Sequence, residues 1–199
     1  MTSFPLLNEL RTKTQKLHSK LEQESCFADL MKADISYGQY VAALNSLNTF
    51  LATLEPAIEA YLTKSDYVYK PRLWCVQSDL EALGYPPVLD TPRRTMTDTE
   101  AIGAAYVIEG STLGGKILHK RLQKQDFIAN ANVLSYFSFY KESTWSDYIN
   151  WLAKQSLSPA ENNEVCAGAI SAFELLLELS HQGTDRQSAN RESTIVRAY

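Results

Sequence analysis

Leu7, Leu10, Thr14, Leu17 and Leu21 recur at alternating steps of three and four, one apolar stripe along a helix over residues 7–23. A second row, Arg11, Gln15, His18 and Glu22, runs beside that stripe. Ser36 and Gln39 have the form of a capping box, and the helix they open carries Tyr40, Leu44, Leu47, Leu51 and Leu54 on one face. Pro56 either kinks this helix or starts a new turn that continues through Ile58 to Leu62. Leu73 to Leu83 forms a further helix, stopped by Gly84 and then by Pro86-Pro87. After a loop at Asp90 to Arg94, Thr97 and Glu100 make a second capping box, which starts a helix running to about Lys124. Ser158 and Pro159 fit the N-cap and first position of a last helix ending near His181, followed by a polar tail over 183–199. No segment alternates with period two for long. The expected fold is all-α, one helical domain over residues 1–182.

The fourth of these helices contains Tyr106-Val-Ile-Glu-Gly-Ser-Thr-Leu-Gly-Gly-Lys116, with Gly103 a little upstream. Each glycine inside a helix costs about 0.8–1 kcal/mol relative to alanine, so Gly110, Gly114 and Gly115 together forfeit about 2–3 kcal/mol. A chain tolerates that where a side chain would obstruct another backbone or a flat ligand. The run Gly110 to Lys116 has the spacing of a phosphate-binding loop. However, Ile117 stands where Ser or Thr should bind Mg²⁺, and the Thr97/Glu100 cap puts a helix where that loop needs a strand. A close helix–helix contact at Gly110 and Gly114 remains open beside ligand approach.

Composition narrows the class. The 199 residues are 45% hydrophobic and 21% charged, with a formal net charge of −4, which gives no support for general nucleic-acid binding. Lys116, Lys120, Arg121 and Lys124 gather on one side of a helix, either as a solvated face or as a site for a small anion. Cys26, Cys75 and Cys166 are odd in number and far apart, as expected for reduced thiols in a cytoplasmic protein. No basic, apolar leader or membrane-length apolar run is read, so the expectation is a soluble chain.

His18 has Glu22 one turn on as an outer partner, and Arg11 about 10.5 Å back along the helix axis. An imidazole and a cation at that separation suit a large flat cofactor with a metal at its centre and carboxylates at its edge. His119 lacks a second histidine or a carboxylate at ligand spacing, and His181 has only Glu178 three residues back, where a di-iron bundle needs two Glu-x-x-His pairs and a zinc hydrolase a second histidine. The aromatics of residues 133–155 suit either a core or the wall of a macrocycle pocket.

Leu17-His18-Ser-Lys-Leu-Glu22 together with the glycine segment Tyr106 to Gly115 resembles the bacterial biliverdin-producing heme oxygenases, especially those tied to iron acquisition or to bacterial phytochromes. Arg72 followed by Ser78 to Gly84, and Pro159 to Phe173, match as well, so the resemblance runs from about residue 7 to 181. It implies a helical fold holding heme b between a proximal N-terminal helix and a glycine-rich distal helix. His18 resembles the iron ligand, and Gly110 and Gly114 resemble the distal glycines, with Gly115 allowing a bend. Arg11, Tyr106 and Arg121 fall where family members contact the heme propionates, and Arg72 falls near a distal arginine. Many members carry Asp where Ser111 stands here, which places the proton relay on Ser111, Thr112 or Arg72 and their waters.

The implied reaction is oxidative cleavage of heme, at once cofactor and substrate, to biliverdin, CO and Fe²⁺ with O₂. With no flavin or nicotinamide fingerprint in the chain, electrons come from a separate donor such as a ferredoxin or flavoprotein reductase. A bacterial phytochrome is a possible acceptor of the product; neither nucleic acid nor membrane is a partner. Two alternatives stand: a heme-binding or storage protein without turnover, and a helical interaction module that uses the Gly110/Gly114 face.

Overall fold

The computed structural model describes residues 5–87, 91 and 93–196, with side chains for all of these except Asn130 and those from 182 onward. Helix α1, Pro5–Glu24, starts with proline at its first position and buries Leu7, Leu10 and Thr14. The Thr14 hydroxyl, buried in that apolar stripe, donates to the Leu10 carbonyl at 2.7 Å. After the short α2, Cys26–Asp29, comes α3, Tyr37–Leu62, opened by the Ser36/Gln39 capping box. It passes unbroken through Pro56, so the proline does not start a separate element.

Helix α4, Leu73–Ala82, ends as its sequence predicts. Gly84 takes φ +78°, its N–H reaches the Glu81 carbonyl at 2.9 Å, and the Tyr85 N–H reaches Leu80 at 2.9 Å. This pair of bonds satisfies carbonyls at the helix end, and the left-handed backbone is what requires glycine. The Thr97/Glu100 box opens α5, Asp98–Leu122, so the glycine cluster does lie inside a helix. The aromatic segment then folds as α6 (Asp126–Ala131), α7 (Ser135–Ser138), a 3₁₀ turn (Phe139–Glu142) and α8 (Thr144–Leu152).

The last helix, α9, spans Pro159–Val196 and so runs well past His181. Ser158 opens it with a reciprocal cap to Glu161, at 2.7 and 3.3 Å. Gly183 does not terminate it. One glycine costs a helix only about 1 kcal/mol, and no proline follows to force a stop. Among the described residues there is no strand, and no helix is long and apolar enough to cross a membrane.

Helices α3, α5 and α9 form the core, with α9 packed along α5, α3 and α1. Two glycines set the α5–α9 distance. A Cβ on Gly103 would overlap the Val165 carbonyl and the Ala169 nitrogen, and one on Gly168 would overlap the Glu100 backbone. Helix propensity alone favours alanine at Gly103 by about 1 kcal/mol, but the obstruction is backbone and yields only if the helices part. Gly103→Ala should therefore lower stability by a net of about 2 kcal/mol, seen as a lower urea midpoint at unchanged slope.

Candidate active site

Helices α1 and α5 both lie against α9 and make little contact with each other. A cleft of about 510 Å³ opens between them, in the size range of small-molecule and cofactor sites. From α1 it is lined by Arg11, Thr14, Gln15 and His18 among others, and from α5 by Tyr106. Arg11, Gln15 and His18 of the predicted row beside the apolar stripe of α1 thus line a cavity, and Glu22 reaches it only through His18.

His18 stands half out of the surface, its side chain 57% exposed, with its ring edge-on to Phe173 of α9 at 5.8 Å between centroids. Its Nδ1 lies 3.5 Å from Glu22 Oε2. That contact favours the proton on Nδ1 and leaves Nε2 as the coordinating atom, the usual division in metal-binding histidines. Among the described residues no group of three or more His, Cys, Asp or Glu could hold a metal ion. A metal on His18 would have to bring most of its own ligands, as a metallated macrocycle does.

Tyr106 is buried with its ring beside Trp145 of α8, at 5.7 Å between centroids. Burial pushes its phenol pKa up, partly offset by a hydrogen bond with Thr14 and the charge of Arg11. It therefore stays protonated and able to donate. Arg11, one turn from Thr14, is exposed at the same cleft.

Gly110 and Gly114 continue the Tyr106 face of α5 by one and two turns. A Cβ on Gly114 would meet no described atom within 4 Å, and the nearest neighbour of one on Gly110 would be the Trp145 ring, at 3.4 Å. Gly114 serves no contact between helices among the described residues, and Gly110 faces the Trp145 side chain of α8, whereas Gly103 lies against the backbone of α9. Nothing in the fold requires glycine at 114, so Gly114→Ala should raise stability by about 1 kcal/mol through helix propensity, measurable as a higher melting temperature. Gly115 is buried and faces the Phe137 carbonyl, 3.8 Å from a Cβ built there.

Ser111 is exposed, and its hydroxyl donates to the Ile108 carbonyl at 2.7 Å. Thr112 points inward and donates to the Glu109 carbonyl at 2.7 Å. Arg121 does not line the cleft; its Nε donates to the Lys32 carbonyl at 3.3 Å.

Arg72 is buried, 1% exposed, on the inner side of α5. Its Nη1 donates to the Ile108 carbonyl at 3.1 Å, and its Nη2 lies 2.8 Å from Glu109 Oε1, close but poorly aligned as a hydrogen bond. The guanidinium sits over the Phe139 ring at 4.4 Å. Burial by itself would weaken its hold on the proton, but Tyr69 and Glu109 outweigh that and keep its pKa above the ordinary value. Glu109 also accepts from the Tyr67 hydroxyl at 2.9 Å. Arg72 thus touches the site through the Ile108 carbonyl, which it shares with Ser111.

Sequence reasoning placed Trp145 and Tyr136 among the aromatics of 133–155 without singling them out, and it missed Glu109 and the exposed Leu113 and Ile117 near Gly114, which stand 56% and 60% exposed. These two apolar side chains next to bare backbone suit the edge of a flat apolar ligand. The one available signal was their offset of three residues from Gly110 and Gly114 on the same helix.

Two long helices lie on a third and part at a cleft lined by His18 and Tyr106, which defines an all-helical protein with a site between α1 and α5. The sequence pattern of the heme oxygenase family matches residues 4–81 and 76–182. The chain belongs to the heme oxygenase family. A heme oxygenase of Xanthomonas campestris pv. campestris (strain 8004) is 28% identical over 149 residues, 72% of this chain and 90% of that protein. The crystal structure of the NO- and CO-bound heme oxygenase of Neisseria meningitidis shares the fold at a TM-score of 0.71 and 23% identity, covering 91% of this chain and 92% of that one.

Proposed function

We propose that the cleft between α1 and α5 binds heme as substrate and that the chain opens its ring with O₂ and external electrons, yielding biliverdin, CO and Fe²⁺. Family membership supports the reaction class. The observation that carries the residue assignment is the open face at Gly114 on the helix that supplies Tyr106 to the cleft of His18. Bound heme would supply an iron able to take a histidine nitrogen and to activate a diatomic gas.

The remaining work falls to the protein. His18 holds the iron through Nε2, while Glu22 orients its ring through Nδ1. Arg11 supplies a cation and Tyr106 an O–H donor for carboxylates at the ligand's edge. Gly110 and Gly114 admit the gas close to backbone, and Gly115 gives the helix freedom to bend beyond them. Ser111 is the polar group beside that face, and Arg72 fixes its position from behind through the Ile108 carbonyl. Arg121 would add a second cation for carboxylates only after releasing Lys32. We infer a cytoplasmic protein whose electrons come from a separate ferredoxin or flavoprotein reductase and whose product passes to an acceptor such as a bacterial phytochrome.

The deciding experiment incubates the chain with hemin, O₂ and a reductant, and identifies the pigment by chromatography. Biliverdin establishes turnover; persistent bound heme would make the chain a binder, and failure to bind hemin would favour a helical interaction module. Gly114→Leu refines the test. The leucine meets open space and should be accommodated by the fold, so hemin affinity stays near wild type while turnover falls by about 10²-fold or more. Wild-type turnover in that variant would end the close-approach assignment.

A further inference from the structure

We propose that Tyr136 is a positioning residue for this site: its phenol donates to Ser111, so Ser111 turns a lone pair, not a proton, toward the open face of α5. The geometry of the hydrogen bonds leads there. The Ser111 hydroxyl has one proton and two lone pairs. Its proton goes to the Ile108 carbonyl at 2.7 Å. The Tyr136 oxygen lies 3.4 Å from Ser111 Oγ, and either group could donate. With the serine proton engaged on Ile108, the phenol is the donor. The cost of leaving a buried O–H without an acceptor points the same way, because Tyr136 is buried.

Tyr136 is itself held in place. Asp79, 1% exposed, accepts from the Ser135 N–H at 2.9 Å and from the Tyr136 N–H at 3.1 Å, which anchors the start of α7. The ring packs edge-on against Phe137 at 5.3 Å. Behind the serine, Arg72 Nη1 also donates to the Ile108 carbonyl, at 3.1 Å. Asp79, Tyr136, Ile108 and Arg72 together fix a serine that sits exposed beside Gly114.

One lone pair of Ser111 remains, on its exposed side. A water bound there must donate one hydrogen to Ser111, which leaves its other hydrogen free to point toward a gas held over Gly110 and Gly114. By donating, Tyr136 leaves the serine proton on Ile108, so that the polar edge of the site holds its water by accepting and the water donates onward. This role rests on the heme reading above, whereas the Tyr136–Ser111 hydrogen bond does not.

Two measurements separate these. In the heme-free protein labelled with ¹³C at the tyrosine ζ carbon, Ser111→Ala should shift the Tyr136 resonance; an unmoved resonance would overturn the hydrogen bond. In the ferrous CO complex, Tyr136→Phe and Ser111→Ala should move the C–O stretching frequency in the same direction, and the double variant should show the Ser111→Ala shift alone. A phenylalanine keeps the ring and its packing, so a purely structural tyrosine would leave the stretch at the wild-type value. That result, or a double variant whose shifts add, would overturn the positioning role. If wild-type protein takes up no heme, the reaction reading and Tyr136's part in it both fall, and the ¹³C result still decides the hydrogen bond.

Discussion

His18→Ala should abolish axial ligation of heme iron and, with it, biliverdin formation. Among the described residues no group of three or more His, Cys, Asp or Glu could hold a metal ion in its place. The ring is also held by two contacts that an alanine cannot replace, Phe173 at 5.8 Å and Glu22 at 3.5 Å. Both are weak at a half-exposed position, so the variant should fold with nearly wild-type stability. The measurement is the Soret spectrum of the hemin complex together with pigment yield. Exogenous imidazole should restore part of the spectrum by filling the space the side chain leaves. A wild-type spectrum and yield without imidazole would show that His18 is not the ligand. Glu22→Gln tests the same contact more gently: the ring keeps a neighbour but loses the carboxylate that favours the Nδ1 proton, and ferric ligation should survive with weaker retention of heme.

Glu109→Leu should destabilise the fold by about 3–5 kcal/mol, because it strands the guanidinium of Arg72 in the interior without its counter-charge. The two side chains are 0% and 1% exposed, with 2.8 Å between Nη2 and Oε1. Tyr67 would lose its acceptor as well. Against a typical total of about 5–15 kcal/mol, such a loss approaches unfolding, so denaturant melts are the proper assay. Removing the partner charge too, as Glu109→Leu with Arg72→Met, should recover much of the loss, since well-packed apolar side chains commonly equal a buried ion pair. That double variant separates stability from function: the fold returns, but the Ile108 carbonyl and hence Ser111 lose their support from behind. Recovered stability with reduced turnover is the expected outcome. If Glu109→Leu alone melts with the wild type, the pair contributes nothing to stability.

Most of the helices were legible because their ends are written locally. Ser36 with Gln39, Thr97 with Glu100, and Gly84 before Pro86 each act within a turn, and each appears in the structure as its spacing predicts. The end of α9 was misjudged for the same reason in reverse. Gly183 is a permissive signal and not a compulsory stop, and the backbone stays helical through it. The wall of the cleft was legible as a row on α1, since a helix puts Arg11, Gln15 and His18 on one side whatever surrounds it.

The glycines show where sequence stops. Gly103 and Gly114 cost the helix alike, and periodicity distinguishes only which way each faces. What each meets is decided by other parts of the chain: Val165 and Ala169 of α9 lie against Gly103, and open space lies against Gly114. The same holds for Arg72, Glu109, Tyr136 and Asp79, whose partners come from distant segments. By itself the sequence determined the helices, their caps, and the pairing of one histidine row with one costly glycine segment. Only the tertiary structure decided which glycine serves packing and which meets open space, and which buried charges stand behind α5. Helix signals act over one or two turns, whereas a close approach or a buried ion pair exists only once α9, α5 and the 67–79 segment have been brought together.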